Sequence, residues 1–322
     1  MNIYGKKNAL NIISSMLDNN RLAHSFLFYG EKGTGKKFFA EYVSMLIMCS
    51  SRKDGKPCGK CRSCRNIMKN IHPDLIRVAH SGKLNGFPVD SIRKVCSEAA
   101  VFPNESSCKI YIFDDADAIS VSAQNALLKT IEEPPEFTYF IFTASSKNVF
   151  LDTIISRVIS VGITECTEDE CRNALKEHDF NDDDINSAIS AFGGNIGNCI
   201  SYITDSGFRD TAELTKTLTD CIINNDEYGF LAAVSKAEPD RNTLKRIFAM
   251  LDDQIRDSIV LKFNNDDLRG CYHEGAEKLS EKLAVSQCER IHFLLEKSTE
   301  YINSNVSSKL VTAYLCRNIA DC

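Results

Sequence analysis

Apolar residues fall into two alternating patterns in the first half of the chain. Short continuous apolar runs predict buried strands, and apolar positions at helical spacing between them predict helices. The predicted strands are 25–29, 75–78, 109–113, 139–143 and 158–163, and the predicted helices are 36–48, 89–101 and 120–131. Strands that alternate with helices indicate parallel strands covered by helices, so we expect an α/β domain over residues 1–165.

Beyond about residue 165 the strand pattern stops and helical spacing dominates. The predicted helices are 168–176, 182–192, 197–203, 211–224, 226–236, 240–263, 270–283 and 286–318. We interpret residues 166–207 as a small helical domain and 208–322 as a larger all-helical C-terminal domain.

The net charge of −6 over 322 residues is unevenly distributed. Residues 1–165 contain 21 Lys and Arg against 16 Asp and Glu, whereas residues 166–322 contain 17 against 28. Such an asymmetry favours separate modules and places any contact with nucleic acid on the first. The sequence has no apolar run long enough to cross a membrane and no signal-peptide core at its start, so we expect a cytoplasmic protein.

Four cysteines are closely spaced in the first module, as C-x8-C-x2-C-x2-C. They are Cys49, Cys58, Cys61 and Cys64. Short C-x2-C steps let thiolates converge on one tetrahedral ion, and four thiolates form a closed structural zinc site. Free cysteines in a chain that has 14 of them are the alternative, and a disulfide is disfavoured in a reducing compartment. We expect a zinc module at about residues 49–70.

The segment that contains these cysteines is strongly basic. Its cations are Arg52, Lys53, Lys56, Lys60, Arg62, Arg65 and Lys69, and Asp54 is its local acid. Such a surface could bind phosphates, or it could be a solvated surface that offsets the charge of zinc-bound thiolates.

A glycine-rich segment precedes the helix predicted at 36–48. It nearly matches the phosphate-binding loop G-x4-G-K-[ST], and its candidate site residues are Gly30, Gly33, Thr34, Gly35, Lys36 and Lys37. Backbone N–H groups of such a loop cradle phosphates, and Lys36 would reach them. Lys37 stands where a hydroxyl should bind Mg²⁺, and an ammonium cannot do so. A glycine-rich turn without a nucleotide also fits the loop taken alone.

The strand predicted at 109–113 ends in two acids, Asp114 and Asp115. This resembles the second motif of ATP-hydrolysing proteins, in which the first acid holds Mg²⁺ and the second orients the attacking water. The second acid is usually Glu, and Asp115 is one methylene shorter. A placement error of about 1 Å can cost on the order of 100-fold in rate.

Further motifs make the resemblance specific. Residues 123–135, with the sequence AQNALLKTIEEPP, resemble the signature helix of bacterial clamp-loader subunits of the AAA+ family, and Ser156-Arg157-Val158 is similar to that family's Ser-Arg-Cys motif. The four-cysteine insertion and the segments 72–75, 89–93 and 21–24 are also similar to the family. The resemblance covers residues 1–205 and implies a P-loop AAA+ domain, a helical lid and a C-terminal collar.

Two kinds of DNA polymerase III clamp-loader subunit share these motifs, the gamma/tau motor and delta-prime. Lys37, Asp115 and Gly197 each depart from the motor pattern, Gly197 at the position of a phosphate-sensing arginine. All three departures remove a function that the chain would need to hydrolyse ATP at its own site. Arg157, which in this family serves the site of a neighbouring subunit, is retained. The departures favour delta-prime, which implies no ATPase of its own and doubtful binding of ATP and Mg²⁺.

The resemblance also implies partners. The chain would join motor (gamma/tau) and delta subunits in a ring that loads the sliding clamp onto primer–template DNA, as a non-catalytic part of a DNA-directed DNA polymerase, a nucleotidyltransferase. Arg157 would act as an arginine finger in a neighbour's ATP site. A motor ATPase of the same complex and a stand-alone zinc-containing DNA-binding protein are the alternatives.

Overall fold

The structure is a computed structural model that describes residues 2–19, 21–53, 55–81, 86–263 and 268–321. The chain forms two compact units, Met1–Glu170 and Cys171–Cys322. The first boundary lies close to the predicted end of the α/β domain. The finer division at residue 207 remains a prediction.

The first unit contains one parallel sheet of five strands, in the order β2-β3-β4-β1-β5. The strands are β1 (Ser25–Tyr29), β2 (Leu75–Arg77), β3 (Lys109–Phe113), β4 (Thr138–Ala144) and β5 (Ile159–Gly162). The helices are α1 (Lys7–Asp18), α2 (Lys36–Met48), α3 (Arg62–Met68), α4 (Val89–Ala99), α5 (Val121–Glu132) and α6 (Asp152–Ile155), with 3₁₀ turns at Ala116–Ala118 and Lys147–Val149. All five predicted strands and all three predicted helices are confirmed within a few residues.

Helices cover both faces of this sheet, as its strands require. In β1, Phe26 and Phe28 point into the core beneath α1 and α2, while Leu27 points into the core beneath α4 and α5. All three side chains are fully buried. Because both faces are buried, the strands are continuous apolar runs rather than alternating ones.

The cysteine-containing insertion lies between α2 and β2. Cys49 directly follows α2, an antiparallel bridge pairs Lys53 with Lys56, and α3 closes the segment. Cys64 and Ile67 of α3 are fully buried in the same core as α1 and α2. The insertion is therefore packed onto the domain.

The second unit is helical throughout its described residues. Its helices are α8 (Asp182–Phe192), α9 (Ile196–Thr204), α10 (Ser206–Asn224), α11 (Glu227–Ala237), α12 (Arg241–Lys262), α13 (His273–Lys282), α14 (Val285–Asn303) and α15 (Ser308–Ala320), and α7 (Glu168–Lys176) spans its first boundary. The expected fold class, an α/β domain followed by an all-helical region, is confirmed.

The prediction of one helix over 286–318 is wrong. The chain leaves α14 after Asn303, and Asn305 adopts a left-handed φ of 64° before α15 begins. Helix α1 was not predicted, although it buries Ala9, Ile13 and Leu17 at helical spacing. Within the described residues, the structure contains no helix that is both long and apolar enough to cross a membrane.

Candidate functional site

The glycine-rich loop connects β1 to α2 at the carboxyl edge of the sheet. Gly30, Gly33 and Gly35 have φ values of 152°, 84° and 84°, which favour glycine. A Cβ on Gly30 would lie 2.1 Å from the carbonyl oxygen of Ile163, so this glycine also permits close packing on the end of β5. A Cβ on Gly35 would meet open space. The loop therefore has three glycines in backbone conformations that other residues rarely adopt; whether it binds a phosphate stays a prediction.

Lys36 is turned into its own loop. Its Nζ donates to the carbonyl oxygens of Gly30 (2.8 Å) and Glu31 (2.6 Å), and Thr34 donates from its hydroxyl to the same Glu31 oxygen at 2.8 Å. Burial lowers the pKa of Lys36, against the opposing effect of Asp115. An ammonium has three donors, so these two bonds leave capacity for one further acceptor such as a phosphate oxygen.

Lys37 binds Asp115, which is 78 residues away in the chain. The Nζ of Lys37 forms an ion pair with Oδ2 of Asp115, and their side chains are 53% and 58% exposed. Asp115 has a left-handed φ of 48°, a conformation that Asp tolerates better than most residues. Lys37 therefore offsets the charge of Asp115, the residue that the sequence motif predicts to orient an attacking water.

Asp114 is also bound to a cation of the same chain. Arg77, at the end of β2, donates to Asp114 Oδ2 at 2.7 Å and to Glu41 Oε2 of α2 at 2.8 Å. Burial raises the pKa of Glu41, and the neighbouring Arg77 opposes this. The charge of the Asp114 carboxylate is thus compensated by a guanidinium, where a working ATPase would compensate it with Mg²⁺.

Sequence reasoning missed Arg77, Glu41 and Thr143. Thr143, near the end of β4, accepts from the Asp115 N–H at 3.0 Å and approaches Asp114 Oδ1 at 3.5 Å. A signal existed for Arg77, a charged residue inside the apolar run 75–78 that predicts a strand. Parallel strands place their carboxyl ends at one edge of the sheet, so Arg77 and Asp114 had to lie close once β2 and β3 were known to be neighbours.

The four cysteines predicted to bind a metal converge. Their Sγ atoms all lie within 4.8 Å of one another, and Cys49 and Cys61 are 4.0 Å apart. Zn–S bonds of about 2.3 Å in a tetrahedron place sulfurs about 3.8 Å apart, so the cluster needs only a slight contraction to close on zinc. The donor set fits a structural zinc ion, as four thiolates would leave no coordination position for a substrate.

Backbone N–H groups of the insertion point at these sulfurs. Cys58 Sγ accepts from the N–H groups of Lys60 (3.4 Å) and Cys61 (3.2 Å), which lower the pKa of Cys58. At Cys61, burial raises the pKa and hydrogen bonds lower it. The hydrogen bonds dominate, first among them the one from the Cys64 N–H, and the pKa falls to about 6. Burial raises the pKa of Cys64. These N–H groups thus stabilise the thiolate forms of Cys58 and Cys61, which are the forms that bind a metal cation.

Arg157 lies just after α6 and contacts Glu132 at the end of α5. It forms an ion pair with Glu132 Oε1 at 2.7 Å and donates to the Thr153 carbonyl at 2.9 Å and the Ser156 hydroxyl at 3.0 Å. The side chains of Arg157 and Glu132 are 38% and 43% exposed. The guanidinium is therefore accessible at the surface. Gly197, the other position singled out by the motifs, lies in the first turn of α9.

A family model described as "DNA polymerase III, delta subunit" matches residues 5–167, just over half of the chain. The chain belongs to this family. The match covers the glycine loop, the acids after β3, the four cysteines and Arg157, and it confirms the resemblance to bacterial clamp-loader subunits.

Individual relatives match a similar part of this delta-family chain. The tau subunit of DNA polymerase III from Bacillus subtilis is 32% identical over 155 residues, which make up 48% of this chain and 27% of that protein. The Escherichia coli tau subunit is 28% identical over 213 residues, 66% of this chain and 32% of that protein. The chain thus spans less than a third of either relative's length. A gamma-subunit-related protein from Thermotoga maritima aligns with a TM-score of 0.46 at 13% identity, over 97% of this chain and 98% of that one.

Proposed function

We propose that this chain is a delta-prime-type subunit of a bacterial clamp loader, one that does not hydrolyse ATP itself. The observation that carries the proposal is the pairing of both acids after β3 with cations of the same chain. Arg77 binds Asp114 and Lys37 binds Asp115. In an active ATPase of this kind, Mg²⁺ and its water ligands would take these places.

The electrostatics oppose a metal at this position. Mg²⁺ takes oxygen ligands in an octahedron of fixed size and gives up its waters reluctantly. Lys37 offers an ammonium at the position where the motif has a hydroxyl ligand. This ammonium forms an ion pair with Asp115, the second of the two acids. The glycine loop and Lys36 still suit an anion, so the site favours phosphate binding without hydrolysis over a complete loss of anion binding.

We propose that Arg157 acts on the ATP site of a neighbouring subunit. Its ion pair with Glu132 must open first, and exposed pairs of this kind are worth about 0–1 kcal/mol. An arginine finger contributes about 10³–10⁵ in rate, or about 4–7 kcal/mol. The surface ion pair is therefore too weak to prevent the guanidinium from reaching a partner.

The remaining partners follow from the proposed clamp-loader complex. Motor (gamma/tau) and delta subunits would form the ring with this chain in the cytoplasm, and the sliding clamp and primer–template DNA would be met through the complex. Zinc bound by Cys49, Cys58, Cys61 and Cys64 would hold the insertion in its fold without taking part in the chemistry.

A gamma/tau-type motor ATPase is the second candidate. The identity to tau subunits, 32% and 28% over the matched residues, favours it, as do the intact loop glycines and Lys36. The motor hypothesis requires that Lys37 and Arg77 move off the two acids when nucleotide binds.

Steady-state ATP turnover by the isolated chain separates the two candidates. We expect negligible hydrolysis, and we expect Lys37→Thr alone to leave it negligible, because Asp115 would still be too short for its role. Filter binding of labelled ATP in the same samples reports whether the loop still takes phosphate. Turnover at the rate of a working motor would favour the gamma/tau assignment and refute the delta-prime one.

A further inference from the structure

The cysteine-containing insertion has an exposed cationic surface that the proposed role does not use. Seven cations lie within residues 52–69 of a chain whose net charge is −6. All seven are exposed: Arg52, Lys53, Lys56, Lys60, Arg62, Arg65 and Lys69. Only Arg62 has an ion-pair partner within the part of the chain that the structure describes, and that partner is Glu105 at 2.5 Å.

Compensation of a metal cluster does not account for this charge. A zinc ion on four thiolates carries a net charge of about −2, so it offsets at most two of the seven cations. Glu105 and Asp54 could offset two more. About three positive charges remain on one small folded segment, and their mutual repulsion favours the binding of an anion there.

Three of the cations form a stripe on the outer side of α3. Arg62, Arg65 and Lys69 follow at intervals of three and four residues, which places them on one face at the helix and its C-cap, opposite the buried Cys64 and Ile67. Seven residues of helical rise span about 10 Å. One DNA strand places a phosphate about every 3.4 Å along the helix axis, so a stripe of this length can contact more than one phosphate.

We propose that this surface binds the phosphate backbone of duplex DNA without reading its sequence. Residues 49–70 contain no Phe, Tyr or Trp, so they offer no stacking platform for the bases of a single strand. Protein interfaces are depleted in Lys and enriched in aromatic residues, whereas residues 49–70 contain four Lys and no aromatic side chain. Charge without stacking groups is what backbone binding to a duplex requires.

The proposal predicts a contact that does not depend on the role of the chain in a ring, so it can be tested on the full chain alone. Anisotropy of a labelled mixed-sequence duplex is followed between about 50 and 200 mM salt. The variant Arg65→Gln/Lys69→Gln keeps the Arg62–Glu105 pair and all four cysteines. The matched control, Lys278→Gln/Lys309→Gln, removes two exposed cations of the second unit.

We expect the slope of log affinity against log salt to shrink by about two in the first variant and to stay unchanged in the control. Zinc content and thermal unfolding should match the wild type in both. Equal slopes in the two variants would overturn the proposal. It would also be overturned if a single strand bound more tightly than the duplex, or if polyglutamate bound as tightly as DNA and lost affinity in the same variant.

Discussion

Replacing Arg77 by Met should loosen the sheet edge where the candidate site lies. Arg77 bridges Glu41 and Asp114 at 2.8 and 2.7 Å, and the three side chains are 19–31% exposed. Met keeps most of the aliphatic volume but leaves the two carboxylates facing each other without a cation. The substitution therefore tests the charge and not the packing.

The magnitude follows from the partial burial of this triad. Exposed ion pairs contribute about 0–1 kcal/mol, whereas breaking a buried pair costs about 3–5 kcal/mol. Side chains exposed by a fifth to a third lie between these limits, so we expect a loss of about 2 kcal/mol near neutral pH. Adding Asp114→Asn should return about half of it, because the repulsion between the two carboxylates is removed.

The loss should also depend on pH. Burial raises the pKa of Glu41 and Arg77 opposes it, so removal of Arg77 lets that pKa rise further. An acid whose folded-state pKa is raised gives stability at low pH that is lost as pH rises through that value. The Arg77→Met variant should therefore lose more stability at pH about 8 than at pH about 4, below the usual Glu pKa.

Hydrogen exchange of β2 and β3, followed by mass spectrometry, reports the stability of the first unit separately from that of the second. Tryptophan fluorescence cannot be used because the chain has no Trp. A loss of about 2 kcal/mol makes the opening equilibrium constant about 30-fold larger, and exchange becomes faster by the same factor. Arg93→Met is the matched control, because its ion pair with Asp90 is 70% and 93% exposed and should matter little. Equal exchange in the two variants would refute the view that Arg77 holds the two acids.

Three further predictions concern other parts of the chain. Protein purified without added metal should contain about one zinc per chain by elemental analysis, and Cys61→Ser should lose it; full zinc in that variant would exclude the cluster as the site. Lys37→Thr should raise Mg²⁺ binding without restoring ATP turnover, and hydrolysis by that single variant would show that Asp115 suffices. The hydrogen bond to Asp252 (2.6 Å) raises the pKa of His292, while burial raises the pKa of Asp252, so this pair stabilises most near pH about 6, where His292 is charged and Asp252 ionised, and less as pH rises through the raised pKa of His292. His292→Gln should therefore cost more stability in thermal unfolding at pH about 6 than at pH about 9, and the reverse order would contradict the sign.

The fold was predictable where local pattern and tertiary structure agree. The five strands are short apolar runs because both faces of the sheet are covered, and the sequence shows this directly. Helices α14 and α15 were merged because Val306 continues the apolar pattern across the break and packs against the same core. The break depends on the backbone of Asn305, which hydrophobic periodicity does not report.

The candidate site was predictable only in its local parts. The cysteines and the glycine loop are close in sequence, so their spacing was enough to predict that they converge. The ion pairs of Arg77 with Glu41 and Asp114 depend on the order of strands and on the packing of α2. Likewise, Lys37 was recognised as a lost metal ligand, but its partner Asp115 becomes a neighbour only in the folded sheet.

The central proposal, a subunit that acts on a neighbour's ATP, is tested most directly by ATPase and clamp loading of reconstituted complexes that differ only at Arg157. Arg157→Ala should leave the ring assembled, lower DNA- and clamp-stimulated turnover in part and reduce loading more strongly. Arg157→Lys should rescue poorly, because an ammonium lacks the planar guanidinium fork.

Glu132→Gln is the decisive control, because it removes the same ion pair and keeps the guanidinium. The account predicts near-normal turnover and loading with Glu132→Gln beside the defect of Arg157→Ala. Equal defects in the two variants, or no defect in either, would contradict it and leave Arg157 as a structural ion-pair residue.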